Sequence, residues 1–237
     1  MRVCQRTHQG LVRSSNQDSL LVDQGVYGVA DGMGGHKGGE TASRVAVQVV
    51  KNALRGKKAE KRALEVAVEA ANRRIFDMAR HDSALNGMGT TLTLLWEAEK
   101  CVHLCHVGDS RAYLLRGGEF RQITDDHSLV AELLRNNMIS PDAARTHPYR
   151  NVITRAVGVD PVVTADIFTH DTQEDDLWLI CSDGLTNMVP DETLASVLKE
   201  ADSDETAADE LLALALEKGG TDNITFVLCR ITEVAAV

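Results

Sequence analysis

The stretch Val26-Tyr27-Gly28-Val29-Ala30-Asp31-Gly32 ends an apolar run with an aspartate and follows it with glycine. A strand that buries an apolar run and ends in a carboxylate presents that carboxylate at the rim of the core. The same pattern recurs in His106-Val107-Gly108-Asp109-Ser110, Leu179-Ile180-Cys181-Ser182-Asp183-Gly184 and Gly220-Thr221-Asp222-Asn223-Ile224. Four such strands could therefore bring four carboxylates to one rim.

These aspartates have two interpretations. Oxygen ligands without clustered Cys or His suit hard cations such as Mg²⁺ or Mn²⁺. Gly32 lets the backbone approach an ion closely, so that its carbonyl can also serve as a ligand. Alternatively, each aspartate starts a turn, as Asp-Gly and Asp-Asn pairs often do. Recurrence after four strand-like runs favours a hydrolytic metal centre.

The composition is typical of a soluble globular protein of one domain. The 237 residues are 43% hydrophobic and 25% charged, and no linker interrupts them, so we expect a single domain over 1–237. A net charge of −10 argues against a nucleic-acid partner, because phosphate backbones require a basic surface. Apolar runs of signal-peptide or transmembrane length are missing, which predicts no membrane association.

The five cysteines are scattered and lack zinc-site spacing. Their pattern favours reduced thiols in a cytoplasmic protein. The sequence carries no sign of an oligomeric state, and a monomer is the default expectation.

Hydrophobic periodicity predicts five helices, over 38–54, 60–80, 128–137, 191–199 and 203–216. It predicts strands over 19–22, 26–30, 90–96, 102–107, 112–116, 119–123, 177–181 and 224–231. Gly117-Gly118 predicts a two-residue hairpin turn, because both central residues of a type I′ turn need positive φ. The order is not a regular βαβ alternation. It predicts an α+β fold with mainly antiparallel sheets flanked by helices.

Five motifs follow one another along essentially the whole chain: Arg13-Ser14-Ser15-Asn16-Gln17-Asp18, Asp31-Gly32-Met33-Gly34-Gly35-His36, Val107-Gly108-Asp109-Ser110-Arg111, Ser182-Asp183-Gly184 and Gly220-Thr221-Asp222-Asn223-Ile224. They resemble the protein phosphatase 2C family in its bacterial form. The resemblance implies a four-layer α/β/β/α fold, an antiparallel β-sandwich between helix pairs, with a mobile flap at about 138–158. It also implies a metal-dependent protein serine/threonine phosphatase. Its partners would be phosphorylated proteins, including a bacterial Ser/Thr protein kinase that it opposes.

The resemblance and phosphate chemistry together imply a site for two Mn²⁺ or Mg²⁺ ions. Such a pair neutralises the phosphate dianion and lowers the pKa of a bridging water, so that hydroxide attacks phosphorus directly. Asp31 is expected between the two ions, with the carbonyl of Gly32 on one of them. Asp183 and Asp222 are expected to complete the set.

Four further residues receive roles by resemblance. Asp109 would hold a third ion together with Asp183, and Asp18 would accept hydrogen bonds from metal-bound waters. Arg13 matches the family's phosphate-binding arginine, and a guanidinium fork can hold two phosphate oxygens at once. His36 is either a general acid that protonates the leaving oxygen or a residue that packs within its loop.

Two other functions are compatible with these motifs. A catalytically silent relative could bind partners through the same fold, although such proteins usually lack metal ligands and none is missing here. A metal-dependent phosphoesterase could instead act on small molecules or nucleotides. The acidic surface and only nine aromatic residues of the Phe, Trp and Tyr types argue against that substrate class.

Overall fold

The computed structural model describes residues 1–35, 37–140, 143–144 and 147–233. Its strands are β1 Arg2–His8, β2 Asp18–Asp23, β3 Val26–Met33, β4 Gly89–Thr90, β5 Leu92–Glu97, β6 Cys101–Val107, β7 Arg111–Arg116, β8 Glu119–Gln122, β9 Asp166–Asp171, β10 Leu177–Cys181 and β11 Ile224–Arg230. Its α-helices are α1 Gly38–Leu54, α2 Lys61–His81, α3 Leu129–Arg135, α4 Asp183–Thr186, α5 Asp191–Glu200 and α6 Asp204–Glu217.

The strands form two antiparallel sheets. The first has the order β1-β11-β10-β7-β8, and the second has the order β2-β3-β5-β6-β9, with β4 paired to β3. Apolar side chains of both sheets, among them Val29, Leu104, Trp178 and Val227, form a shared core between them. The antiparallel β-sandwich that the resemblance implies is therefore present.

Helices cover the outer face of each sheet. Helices α1 and α2 pack on the second sheet through a core that includes Ala46, Val50 and Ile75. Helices α5 and α6 pack on the first sheet through Leu198, Leu211 and other buried side chains. The four layers are helix, sheet, sheet and helix, which confirms the predicted α+β class. None of the described helices is both long and apolar enough to cross a membrane.

Local sequence signals account for most element boundaries. Helix α1 buries one apolar stripe and coincides with the predicted range 38–54. Ser203 caps α6, because its side chain accepts a hydrogen bond from the Thr206 N–H. Gly117 and Gly118 have φ values of 56° and 83°, as a type I′ hairpin requires. The predicted strand 90–96 is divided, since β4 ends at Thr90 and β5 begins at Leu92.

Two strands form where the sequence pattern predicts none. Strand β1 is mostly polar, yet it pairs along its whole length with β11. Arg2 and Arg6 of β1 also bind carboxylates of α6, with a distance of 2.9 Å from Arg2 Nε to Asp204 Oδ2. Strand β9 pairs with β6 at the edge of the second sheet. Partners distant in sequence stabilise both strands, so local periodicity does not identify them.

The segment 138–158, expected as a flap, lies partly on the surface and partly in the core. Met138 and Tyr149 are exposed, whereas Val157 is fully buried. Val157 and Thr90 exchange two backbone hydrogen bonds of 2.8 and 3.0 Å. The Gly158 N–H donates to Asn72 Oδ1 at 2.6 Å. The C-terminal part of the segment is therefore fixed to the body of the protein; residues 141, 142, 145 and 146 lie outside the described residues.

Candidate metal and phosphate site

The sandwich brings the predicted carboxylates to one end. Asp18 begins β2 and stands directly opposite Asp31 near the end of β3. Asp183 follows β10, and Asp222 precedes β11, the antiparallel neighbour of β10. Asp109 follows β6 in the second sheet. We call these five residues the acidic rim.

The backbone of Asp31 is held by two threonines. Its N–H donates to Thr91 Oγ1 at 2.9 Å, and its carbonyl accepts from the Thr91 N–H at 2.8 Å. Thr90 Oγ1 donates to the same carbonyl at 2.9 Å. Thr91 lies in the interruption between β4 and β5, so this break has a function in fixing Asp31.

Gly32 occupies a position where a side chain has no room. A Cβ atom there would lie 2.1 Å from the Gly39 carbonyl oxygen and 2.6 Å from the Gln17 carbonyl oxygen. Both neighbours are backbone atoms, which cannot move aside independently. The glycine therefore allows the N-terminus of α1 to pack against the end of β3 beside Asp31.

Asp183 and Asp222 lie next to adjacent strands of the first sheet. Asp183 is the first residue of α4, and its Oδ2 accepts from Asn187 Nδ2 at 2.9 Å. Asp222 Oδ1 accepts from the Asn223 N–H at 2.8 Å. Gly184 permits this closeness, because a Cβ there would lie 1.9 Å from the Asn223 carbonyl oxygen.

Burial and mutual repulsion raise the pKa values of the carboxyls of Asp18, Asp31, Asp109 and Asp183. Burial is the largest cause at Asp31, whose pKa lies well above its usual range, and Asp18 and Asp183 raise it further. Burial and then Asp222 raise the pKa of Asp183. Burial and then Asp183 raise the pKa of Asp109. Burial raises the pKa of Asp18 to about 6. The rim is an environment that favours a proton or a cation over unpaired carboxylates.

The donor set fits hard divalent cations by its chemistry. It consists of carboxylate oxygens, and Asp18 Oδ1 is buried without a hydrogen-bond partner. Within the described ranges, however, no three carboxylate, imidazole or thiol side chains are arranged as a ready-made metal site. Binding of cations would therefore include reorientation of the rim side chains.

Arg13 lies at the edge of the acidic rim. Its Nη2 atom is 2.6 Å from Asp222 Oδ2, and about half of its side chain is exposed. The ion pair raises the pKa of the guanidinium, so the positive charge is permanent. The guanidinium thus borders the carboxylates and is partly open to solvent. His36, expected either as a general acid or as a residue that packs within its loop, lies outside the described residues.

Asn223 is a residue of the site to which sequence reasoning assigned no role. Its Oδ1 accepts from the Gln17 N–H at 2.8 Å, and its Nδ2 donates to the carbonyls of Gln9 and Ser15 at 2.8 and 2.9 Å. These bonds secure the loop that carries Arg13. Its position next to Asp222 in the motif was the only available signal.

Replacing Asn223 with alanine is expected to weaken both the fold and substrate binding. Three backbone groups would lose their partner, at a cost of about 1–3 kcal/mol in the free energy of unfolding. KM should rise because Arg13 would no longer be held. Urea unfolding and steady-state kinetics measure the two effects. Asn52→Ala, which removes one exposed amide contact on α1, is the control; an equal rise of KM there would contradict this role of Asn223.

Comparison with known proteins agrees with this geometry. Residues 6–217 match the family model described as Protein phosphatase 2C. The serine/threonine phosphatase stp of Listeria welshimeri is 42% identical over 234 residues, which cover 94% of this chain and 93% of that protein. The chain belongs to the protein phosphatase 2C family.

Solved structures give the same result. The crystal structure of the Mycobacterium tuberculosis serine/threonine phosphatase PstP/Ppp is 37% identical and superposes with a TM-score of 0.92, covering 98% of this chain and 99% of that one. The catalytic domain of PstP in complex with two manganese ions is 35% identical, with a TM-score of 0.90 and 98% coverage of both chains.

Proposed function

We propose that this protein is a metal-dependent serine/threonine phosphatase of phosphorylated proteins. The observation that carries the proposal is the convergence of the acidic rim at one end of the sandwich, bordered by the guanidinium of Arg13. Membership of the protein phosphatase 2C family and relatives named serine/threonine phosphatase support it. The names of these relatives do not favour the two alternative functions, a silent binding module and a small-molecule phosphoesterase.

Asp31, the Gly32 carbonyl, Asp183 and Asp222 would hold two Mn²⁺ or Mg²⁺ ions, and Asp109 with Asp183 would hold a third. Bound divalent cations would supply charge neutralisation of the phosphate dianion and activation of the attacking water. The related structure with two manganese ions supports a site for two ions.

The protein's own residues would position the substrate. Arg13 would exchange its contact with Asp222 for two phosphate oxygens, since a guanidinium can bind both together. Asp18, held by a 2.9 Å hydrogen bond from Ser182 Oγ, would accept hydrogen bonds from water at the rim. His36 would protonate the leaving oxygen or pack in its loop.

We further propose one domain over 1–237, in which the flap at 138–158 selects phosphoprotein substrates. An opposing Ser/Thr kinase is expected among those substrates. We propose a monomer in the cytoplasm, and the five free cysteines are compatible with a reducing compartment. Sedimentation and cell fractionation test these two points.

Hydrolysis of p-nitrophenyl phosphate by the purified protein, titrated with Mn²⁺ or Mg²⁺, tests the metal-dependent activity. Activity should appear with metal and disappear with chelator. Phosphoserine and phosphothreonine peptides should then be turned over faster than a phosphotyrosine peptide of the same sequence. Inactivity of the folded protein at every metal concentration would indicate a silent binding module.

Replacing Arg13 with alanine is expected to raise KM by about 10- to 100-fold, because a charge-assisted bidentate contact is worth about 1.5–3 kcal/mol. The kcat value should change much less. Arg62→Ala, which removes an exposed arginine paired with Glu65, is the control and should change neither constant. A loss confined to kcat would show that Arg13 acts in the transition state instead.

A further inference from the structure

His127 is buried, 4% exposed, and has every polar group engaged. The backbone N–H of His127 donates to the Gly108 carbonyl at 2.7 Å. The ring atom Nδ1 of His127 accepts from the backbone N–H of Gly108 at 3.0 Å. On its other side, its carbonyl accepts from the Thr154 N–H at 2.8 Å, and its Nε2 lies 3.2 Å from Asp166 Oδ2. One residue therefore joins two parts of the chain that are distant in sequence.

The first of these parts directly precedes a rim carboxylate. Gly108 has a φ of +113°, and a Cβ there would lie 2.6 Å from the Thr91 side chain. Since His127 binds both polar groups of Gly108, it fixes this unusual backbone conformation. The direction in which the next residue, Asp109, leaves the strand depends on that conformation.

The second part is residues 152–155, which we call the anchor segment. Its Val152 carbonyl accepts from the Leu129 N–H at 2.9 Å, and Ile153 forms a β-bridge with Ser128. Arg155 Nη1 lies 2.7 Å from Asp166 Oδ1 and 3.0 Å from His127 Nε2. The carboxylate of Asp166 thus holds the arginine and the imidazole together.

Donor counting determines the state of the imidazole. The Gly108 N–H can only donate, so in the neutral ring Nδ1 of His127 accepts and Nε2 carries the proton toward Asp166. Arg155 Nη1 is also a donor, so in this tautomer its hydrogen bond goes to Asp166 Oδ1 and not to Nε2. His106 lies behind the ring, with ring centroids 4.6 Å apart, and is itself held by Thr93 Oγ1 at 2.9 Å. The ring of His127 is therefore orientated from both sides.

We propose that His127 is a positioning residue that couples the anchor segment to Gly108 and hence to the Asp109 carboxylate. The catalytic consequence rests on the proposed phosphatase function, whereas the coupling itself is a property of the fold. A disturbance of the contact between Arg155 and Asp166 is transmitted through His127 to the Gly108 amide, which neither residue touches.

Hydrogen exchange followed by NMR tests the coupling without any turnover. Arg155→Ala and Asp166→Asn alter partly exposed side chains, so both variants should fold. Each should accelerate exchange of the Gly108 amide by about tenfold, because local opening becomes easier. The control Arg62→Ala should leave that rate unchanged. Faster exchange at Thr154 with an unchanged rate at Gly108, in both variants, would overturn the proposal.

Two substitutions of His127 separate its two contacts. In His127→Asn the amide oxygen can take the place of Nδ1 and keep the Gly108 contact, while the contact to Asp166 is lost. In His127→Gln the amide nitrogen can take the place of Nε2 and keep the Asp166 contact, while the Gly108 contact is lost. Thermal unfolding of both variants checks that they fold.

The coupling predicts different kinetic defects for the two variants. His127→Gln should raise the Mn²⁺ concentration for half-maximal hydrolysis of p-nitrophenyl phosphate by about tenfold, since loss of partners beside ligands typically weakens metal affinity by 10- to 100-fold. His127→Asn should raise it less. If both variants and the wild type need the same Mn²⁺ concentration for half-maximal hydrolysis, His127 does not position Asp109. If all forms are inactive, the phosphatase function fails, and the exchange experiment still decides the coupling.

Discussion

Asp31→Asn should reduce turnover of phosphorylated substrates by at least about a thousandfold, because cation assistance is worth several kcal/mol and about 4 kcal/mol corresponds to that factor. Asp31 lies at the centre of the acidic rim, where four other carboxylates influence its pKa. The substitution keeps the shape of the side chain and removes its negative charge. Steady-state kinetics with p-nitrophenyl phosphate under saturating Mn²⁺ measures the loss.

The stability of the same variant distinguishes this result from misfolding. Folding raises the pKa of the Asp31 carboxyl. At a pH above the pKa that this carboxyl has in the unfolded chain, its ionised form therefore opposes folding. A neutral asparagine should therefore leave the melting temperature in chelator unchanged or higher. Asp209→Asn, on the exposed face of α6, is the control and should retain activity. Wild-type turnover by Asp31→Asn would overturn the metal assignment.

Gly184→Ala should lower the free energy of unfolding by about 3 kcal/mol, the upper end of the usual cost of overpacking. The added Cβ would lie 1.9 Å from the Asn223 carbonyl oxygen, which is backbone and cannot rotate away. The loops of Asp183 and Asp222 would have to separate, so activity should fall as well. Urea unfolding and kinetics measure both losses.

Gly35→Ala is the matched control for stability, because a Cβ at Gly35 meets no atom of the described residues within 4 Å, its chain neighbours apart. Its free energy of unfolding should remain within about 0.5 kcal/mol of the wild type, the usual range for surface changes. If Gly184→Ala were equally harmless, the close approach of the two loops would not contribute to the fold.

The sequence predicts much of this fold because most elements are locally specified. The apolar stripe of α1, the Ser203 cap and the Gly117-Gly118 turn each indicate an element through neighbouring residues. Strand β1 has no such signal, since its stability comes from β11 and from arginine contacts with α6. Local periodicity cannot report a partner at the other end of the chain.

In the candidate site too, some residues are indicated by local sequence and others only by contacts between distant parts of the chain. The aspartates and Arg13 could be proposed because they stand in motifs with a chemical meaning. The contacts that support these residues could not be proposed from the sequence. Asn223 hydrogen-bonds backbone groups near residues 9–17, and His127 joins Gly108 to Thr154. Such contacts depend on which loops the sandwich brings together, and no spacing along the chain encodes them directly.

The pairing of β1 with β11 also affects how the protein is made. In a nascent chain β1 is synthesised before β11, and all the other strands are made between them, so β1 has to wait for its partner. Asp222, just before β11, is likewise synthesised late, so an incomplete chain lacks part of the acidic rim. Contacts this distant in sequence slow folding. Hydrolytic capacity at the proposed metal site would therefore arise only after β11 has been synthesised and has paired with β1.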